Sequence, residues 1–485
     1  VYIEAVRDGR KFIAGLQAAR RARKPVIVMK VGRSQAGANA AASHTGALSG
    51  EDAVIDAVLK QYGAYRATST ENLVDVAYAC ARGIFPGGRR IGLLTLSGGV
   101  GIQMADTAVD LGLDVAPMPQ PAQAQIRAML SYAAPANPID LTAQVVNDVT
   151  LVSKALDIVV QQGGYDSLLL FLSTMPTVPH LSRPLSTVLH AQQPASHERL
   201  AVLSLVGADE ARRQFESWGY LVFEDVDRAL AAMAALTGFA ESFDAASTAL
   251  SFEPLPALPP GPFDEHAAKQ ALTAARIPPL AGRGADTPAQ PAAAAAAFGS
   301  RVALKIVSHD IAHKTEAGGV ALGLAPGEVQ RAAEAMQRRI AEQLPTARLD
   351  GFLVAPMAPK GGETILGVMR DPVFGPVVMF GLGGVFVEVF RDVAFRLAPF
   401  GEDEALRMIR QTKGFALLQG ARGAPPPDVP ALARALSRLS HFAVQHAARI
   451  AEIDINPFVV LPHGHGGMAL DALIVASADS TTQTH

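Results

Sequence analysis

Short apolar runs recur along the first half of this chain, each followed by a stretch with helical periodicity. Residues 25–31 (PVIVMKV), 90–96 (RIGLLTL), 167–172 (SLLLFL) and 200–205 (LAVLSL) are each one strand long and too apolar to keep a wet face. Strands buried on both faces belong to parallel sheets covered by helices, because parallel neighbours need a crossover connection that a helix supplies. Residues 1–4 read as a further strand, residues 9–23 as an amphipathic basic helix, and residues 51–62 and 73–82 as helices. The alternation predicts an α/β architecture with helices on both faces of the sheets. Pro86-Gly87-Gly88 marks a boundary. Residues 1–86 therefore read as part of one doubly wound unit and residues 88–250 as a complete second one. Within the second, residues 113–116 are expected as a strand. Residues 179–197, rich in Pro, Ser and Gln, are expected as a loop with one helical turn.

The pattern changes at residues 251–262, where prolines forbid regular structure and stiffen a linker. Beyond it, residues 263–477 no longer alternate. Helices are expected at 264–274, around the alanine run 293–297, and at 429–450. Strands are expected at 301–307, 351–355, 377–380 and 385–390, with a hairpin made by 452–461 and 468–475. That arrangement is α+β. Residues 478–485 form a polar tail expected to be disordered.

A length of 485 residues suits two to four domains, and the 49% apolar content can fill large cores. A net charge of −3 lacks the basic face that nucleic acid requires. The single cysteine, Cys80, excludes an intramolecular disulfide and a cysteine-based metal cluster, and is expected as a small buried hydrophobe. No apolar run reaches the ~20 residues of a membrane span, and no signal peptide is visible, so the simplest compartment is the cytoplasm. The chain opens Val1-Tyr2-Ile3-Glu4, already in a strand-like run and without Met, which suggests a fragment or a start site lost upstream.

Two histidines sit among small residues: His44 in Ser43-His44-Thr45-Gly46, and His313 in His313-Lys314-Thr315-Glu316-Ala317-Gly318-Gly319. Small neighbours let backbone N–H groups approach an anion, and a neutral imidazole can attack a phosphoryl group. Two such sites in one chain suggest a phosphoryl group that is handed on. Taken alone, His44 is better explained as a hydrogen-bonded loop residue. Weight comes from Ser97-Gly98-Gly99, set between a strand and a helix, where N–H groups at a positive helix end suit an anion; tight packing by glycine explains that turn equally well. Glu4, at a strand end, either orients an imidazole or stands in solvent.

Lys305 lies inside the apolar strand VALKIV, a costly place unless its ammonium meets a partner such as a nucleotide phosphate or snorkels to the surface. Lys314 either serves the same phosphates or is solvated. Phosphoryl transfer to a nucleotide also needs a divalent cation, and Mg²⁺ takes one or two protein oxygens and keeps several waters. Asn456 and Asp471 would face each other in the expected hairpin; an Asn-Pro turn explains Asn456 as well. Gly381-Leu382-Gly383-Gly384 follows an apolar strand but is no Walker motif. Glu388, Asp392 and Arg396 after it either line a nucleotide or face solvent.

These segments resemble the NDP-forming acyl-CoA synthetases, with ADP-forming acetyl-CoA synthetase nearest in pattern and succinyl-CoA synthetase more distant. Tyr2-Ile3-Glu4, Asp8 to Phe12, Lys30 to Arg33 and Ser43 to Gly46 are similar to the family's ligase domain. Asn137-Pro138-Ile139-Asp140-Leu141 is similar to a motif of the next, flavodoxin-like domain. His313 to Val320, Phe380 to Gly384 and Glu452 to Pro457 are similar to its ATP-grasp domain. The resemblance implies flavodoxin-like doubly wound sheets, one partial and one complete, followed by an α+β ATP-grasp domain.

It implies roles as well. His44 would be the phosphohistidine, with Glu4 steadying it and His313 a second phosphate acceptor. Ser43, Thr45, Gly46, Gly98 and Gly99 would bind phosphate. Lys305, Lys314, Gly383 and Glu388 would bind nucleotide, and Asn456 with Asp471 would hold Mg²⁺. ATP or ADP, CoA and a small carboxylic acid would be the substrates. Nucleic acid and membrane would not be partners, and a homodimer is compatible with the reading. The family normally begins with a CoA-binding domain that has no counterpart here. Alternatives are an acyl-CoA-sensing module of a protein acetyltransferase, a truncated inactive fragment, or an ATP-grasp ligase that forms an amide.

Overall fold

The computed structural model describes residues 1–34, 36, 52–192, 199–207, 209–245, 252–259, 261–308, 310–311, 314, 317–383, 392–420 and 425–477. The chain divides into two compact units. Unit 1 comprises Val1–Val6, Arg10–Ser49 and Tyr62–Ala246; unit 2 comprises Arg7–Gly9, Gly50–Gln61 and Ser247–His485. Among the described residues no helix is long and apolar enough to cross a membrane.

Unit 1 holds two parallel sheets, as the strand–helix alternation predicts. β1 (Tyr2–Ile3), β2 (Ile27–Lys30) and β3 (Tyr65–Arg66) make a three-stranded sheet in that order. β4 (Ile91–Thr95), β5 (Ile139–Asp140), β6 (Ser167–Ser173), β7 (Leu200–Leu205) and β8 (Leu221–Phe223) make a five-stranded sheet in the order β5-β4-β6-β7-β8. Alternate residues feed cores on opposite faces: Leu168 and Leu170 pack with Ile126 and Leu185, whereas Leu169 packs with Met104 and Leu236. That two-sided burial is why these runs are continuously apolar.

The helix Val226–Asp244 buries Ala235 and Phe239 against Val76 of the helix Thr70–Ala81. Its Arg228 clamps Asp75 of that helix with two hydrogen bonds, 2.8 and 2.7 Å. Cys80 lies in the same layer, half-buried, and burial pushes its thiol up to about 12, which leaves it a neutral packing residue.

Two expectations for unit 1 fail. Residues 113–116 contribute a single bridge, Arg90 to Asp114, instead of a strand. Pro117 and Pro119 follow at once and offer no N–H to continue a ladder. Residues Pro179–Ala191 form a helix despite Pro184 in its interior. Leu181, Leu185, Val188 and Leu189 recur at helical spacing and are all buried, and that burial outweighs the hydrogen bond lost at Pro184.

Unit 2 contains two antiparallel sheets. The first runs β11-β10-β12-β9, from β9 (Arg283–Ala285), β10 (Val302–Val307), β11 (Val320–Leu324) and β12 (Gly351–Pro356). The second runs β15-β14-β13-β16-β17, from β13 (Gly362–Asp371), β14 (Gly375–Leu382), β15 (Val393–Leu397), β16 (Ile450–Val460) and β17 (Gly467–Ala469), with β18 (Leu473–Ala476) also on β16. The helix Val429–Gln445 covers the second sheet. It stops short of the expected 450 because Ile450 is already a buried strand residue of β16. Asn456 lies within β16, so the alternative of an Asn-Pro turn is not what the chain adopts.

The helix Asp52–Gln61 belongs to unit 2 and buries Val54, Ile55, Val58 and Leu59. Its last residue acts as a strand partner. Gln61 Nε2 donates to Leu397 O at 2.9 Å, and Leu397 N donates to Gln61 Oε1 at 2.8 Å. Gln61→Ala strips both groups of a buried residue of their partners, which costs about 1–3 kcal/mol. Amide hydrogen exchange at Leu397 is expected to accelerate by about tenfold or more.

Candidate active site

In unit 2, the strand β10 and the helix Glu265–Ala274 set up an ion cluster. Asp264 caps that helix by accepting from Ala267 N at 2.7 Å, which places Glu265 in the first turn. Glu265 and Lys269 lie one turn apart. The Glu265 side chain is 1% exposed and sits among three ammonium groups: Lys269 at 2.8 Å and Lys305 at 3.4 Å on Oε1, and Lys314 at 2.5 Å on Oε2. Lys305 Nζ also donates to Asp471 at 3.1 Å and to Leu470 O at 3.0 Å. Lys314 Nζ comes within 3.8 Å of Asp471.

The electrostatics follow from burial and charge together. Burial alone pushes the Glu265 carboxyl up, but Lys305, Lys269 and Lys314 overcome it and hold the group down at about 2. Burial pulls Lys269 down, and Glu265 offsets only part of that. For Lys305 burial also acts downward, yet Asp471 and Glu265 outweigh it and the ammonium is held above its ordinary value. Both phosphate-facing candidates, Lys305 and Lys314, are thus anchored to carboxylates.

The glycines of the His313 segment have a packing reason. Gly318 has φ +67°, and a Cβ on Gly319 would stand 2.4 Å from the Ile306 side chain. Gly319 N donates to Lys314 O at 2.7 Å, and Ile306 N donates to Gly319 O at 2.9 Å. Gly319 therefore lies against β10 and is tied to Lys314, whose ammonium reaches Glu265.

Asp471 comes from the last hairpin. Phe458 pairs with Ala469, and Asp454 pairs with Leu473. Both pairings share one offset, and Leu470 N donates to Pro457 O at 3.0 Å between them. Asn456 and Asp471 therefore stand opposite each other. A carboxylate and a carboxamide are hard oxygen donors of the kind Mg²⁺ takes, with water filling its remaining positions. Among the described residues no group of three His, Cys, Asp or Glu could hold a metal.

Other expected residues lie elsewhere. Gly383 N donates to Glu363 O at 2.9 Å, and a Cβ there would meet Glu363 at 3.2 Å, so this glycine serves close approach of β13. Asp392 accepts from Lys413 N and Gly414 N. Arg396 is buried on Glu404 at 2.6 Å and Gln411 at 2.9 Å. Both are engaged within the protein, which departs from the alternative of side chains free in solvent. Ser43, His44, Thr45, Gly46, His313 and Glu388 lie outside the described residues.

In unit 1, Glu4 follows the end of β1, half-buried. Its strand pairs with β2, and a cavity of about 520 Å³ opens at the carboxyl ends of β2 and β3, lined by Lys30, Gly32, Arg33, Ser34 and Thr68. Gly98 and Gly99 open the helix Gly98–Asp110, which has no side-chain cap, and both are exposed. Asn137 ties the neighbouring strand by accepting from Leu93 N and donating to Ile91 O and Ala116 O.

Glu265 and Lys269 were not expected from sequence. A Glu–Lys pair one turn apart on an amphipathic helix reads as a surface ion pair. Its burial depends on β10, a strand more than thirty residues further along the chain.

Comparison with known proteins agrees with this architecture. Residues 261–476 match the ATP-grasp domain, and residues 1–80 match the succinyl-CoA ligase-like flavodoxin domain. An ADP-forming acetate–CoA ligase I of Archaeoglobus fulgidus is 32% identical over 96% of this chain and 68% of its own length. An ADP-forming 4-hydroxybutyrate–CoA ligase of Nitrosopumilus maritimus is 31% identical over 98% of this chain and 70% of its own. A dinucleotide-forming acetyl-coenzyme A synthetase 1 of Ca. Korarchaeum cryptofilum, solved in complex with coenzyme A and Ca-AMPCP, is 40% identical over 44% of this chain and 93% of that one, with a TM-score of 0.43. The second half of the chain is thus an ATP-grasp module. The chain as a whole belongs to the family of ADP-forming acyl-CoA ligases.

The depressed Glu265 carboxyl makes stability depend on acid. Its contribution is complete above its ordinary value of 4.5 and is lost as pH falls toward about 2. Glu265→Gln is expected to flatten that slope. It should also cost about 3–5 kcal/mol at neutral pH, because three ammonium groups stay buried without their carboxylate. Urea unfolding across pH 2 to 7 measures both effects.

Proposed function

We propose that this chain carries out ADP-forming acyl-CoA ligase chemistry, interconverting acyl-CoA, ADP and phosphate with a carboxylic acid, CoA and ATP. A phosphate oxygen attacks the thioester carbonyl, the C–S bond breaks, and CoA leaves as an acyl phosphate forms. An imidazole nitrogen of His44 attacks phosphorus, and the P–O bond to the acid breaks. A terminal oxygen of ADP then takes the phosphoryl group from nitrogen, giving ATP and free histidine. His313, when it acts as a second carrier, takes the group from His44 and passes it to ADP.

The observation that carries this reading is the cluster of Lys305 and Lys314 on Glu265 and Asp471, lodged where the two sheets of the ATP-grasp module meet. Buried ammonium groups anchored in place suit the transfer of a phosphoryl group, which is mainly a matter of positioning and charge. Asn456 and Asp471 would hold Mg²⁺, which screens the nucleotide's charge. Glu4, just past the end of β1, would orient the His44 imidazole. The uncapped N–H groups at Gly98 and Gly99, with Ser43, Thr45 and Gly46 around the histidine, would receive the phosphoryl oxygens. Residues 1–86 and 88–250 would act as the two ligase domains, and residues 263–477 as the nucleotide domain.

Incubation with ATP labelled at the γ-phosphate and Mg²⁺ is expected to leave acid-labile, base-stable label on the chain. His44→Ala should abolish it, and Lys305→Ala should slow it by about 10²-fold. An unsubstituted chain that takes no label would overturn the relay.

A further inference from the structure

One charge in the ion cluster has no part in the proposed transfer. Lys269 is a buried lysine, its side chain 7% exposed. Its ammonium lies 2.8 Å from Glu265 Oε1 but makes no aligned hydrogen bond among the described residues. Glu265 offers two oxygens to three ammonium groups. Lys314 has Oε2 to itself at 2.5 Å, while Lys269 and Lys305 share Oε1 at 2.8 and 3.4 Å. Of the two that share, Lys305 is held at the longer distance, and it turns its other donors toward Leu470 O and Asp471.

Formal charge points the same way. Among the described residues, three ammonium groups against Glu265 and Asp471 leave one positive charge. Without Lys269 the cluster would be neutral, with a carboxylate for each of Lys305 and Lys314. An arriving phosphate would then have to break a matched buried pair.

We propose that Lys269 is a positioning residue: by sharing Glu265 Oε1 with Lys305 it leaves the cradle positively charged for a nucleotide's phosphates, without touching the nucleotide. The inference rests on reading Lys305 and Lys314 as nucleotide-binding.

Equilibrium binding of ADP with Mg²⁺ to the 485-residue chain tests it. Lys269→Met is expected to weaken binding by about tenfold or more. Lys269→Arg, which keeps the charge, should stay within about threefold of the unsubstituted chain. A purely structural lysine would make Lys269→Arg as weak as Lys269→Met, and that result overturns the inference. Unchanged ADP binding in Lys269→Met overturns it too. Should Lys269→Met not fold, Lys269→Gln takes its place in the same titration. Failure of the unsubstituted chain to bind ADP sinks the nucleotide reading itself, whereas normal binding that ignores position 269 sinks only the role of Lys269.

Discussion

The carboxylate of Glu265 is the interaction on which the site in unit 2 depends. Taking an ion out of water costs several kcal/mol unless opposite charge and hydrogen bonds repay it. Here three ammonium groups repay it, and each comes from a different element: Lys269 from the same helix, Lys305 from β10, and Lys314 from the loop after it. Lys305 extends the connection to Asp471 in the final hairpin. One buried negative charge therefore holds together a helix, a strand of the first sheet, a loop and a hairpin of the second. Removing Glu265 would strand three ammonium groups at once, which is how a site made of long, flexible lysines acquires a defined geometry.

Unit 1 is arranged on a different principle. Its strands are held by apolar layers on both faces, and polar side chains act at the margins. Asn137 satisfies three backbone groups beside β4, and Arg228 clamps Asp75 between two helices. The Asn137 motif that resembles a ligase signature thus has a local structural task, quite apart from any ligand. The crevice at the carboxyl ends of β2 and β3 lies where open parallel sheets expose their loops, which is where such folds place ligands.

Sequence was most informative where a residue was out of place. Lys305 stood out because a lysine within VALKIV needs a partner, and it has three. Asn456 and Asp471 could be paired because strand register is arithmetic once the hairpin is assumed. What stayed hidden was burial that only the tertiary fold creates. Glu265 and Lys269 look like a solvated pair until β10 covers them. Asp392 and Arg396 sit in a glycine-rich, apolar stretch that suggested a nucleotide wall, yet they cap and brace neighbouring segments. The helix Pro179–Ala191 was obscured by its own prolines, since local propensity argued for a loop and only the core could overrule it.

The two carboxylates of the cluster are not equivalent partners for an incoming phosphate. Glu265 is 1% exposed and Asp471 30%, so releasing Asp471 returns a partly wet group to water, whereas releasing Glu265 would strand a dry one. Both lysines touch both carboxylates, Lys305 at 3.4 and 3.1 Å and Lys314 at 2.5 and 3.8 Å. The cheaper exchange for each lysine is therefore the same one: keep Glu265 as an anchor and give up Asp471. A phosphate that took Asp471's place would release its Oδ2 from Lys305, while its Oδ1 keeps the hydrogen bond from Ala472 N. On the proposed reading, the exchange that admits an anion would also turn a carboxylate oxygen toward a cation, and the two occupancies would favour each other by linkage.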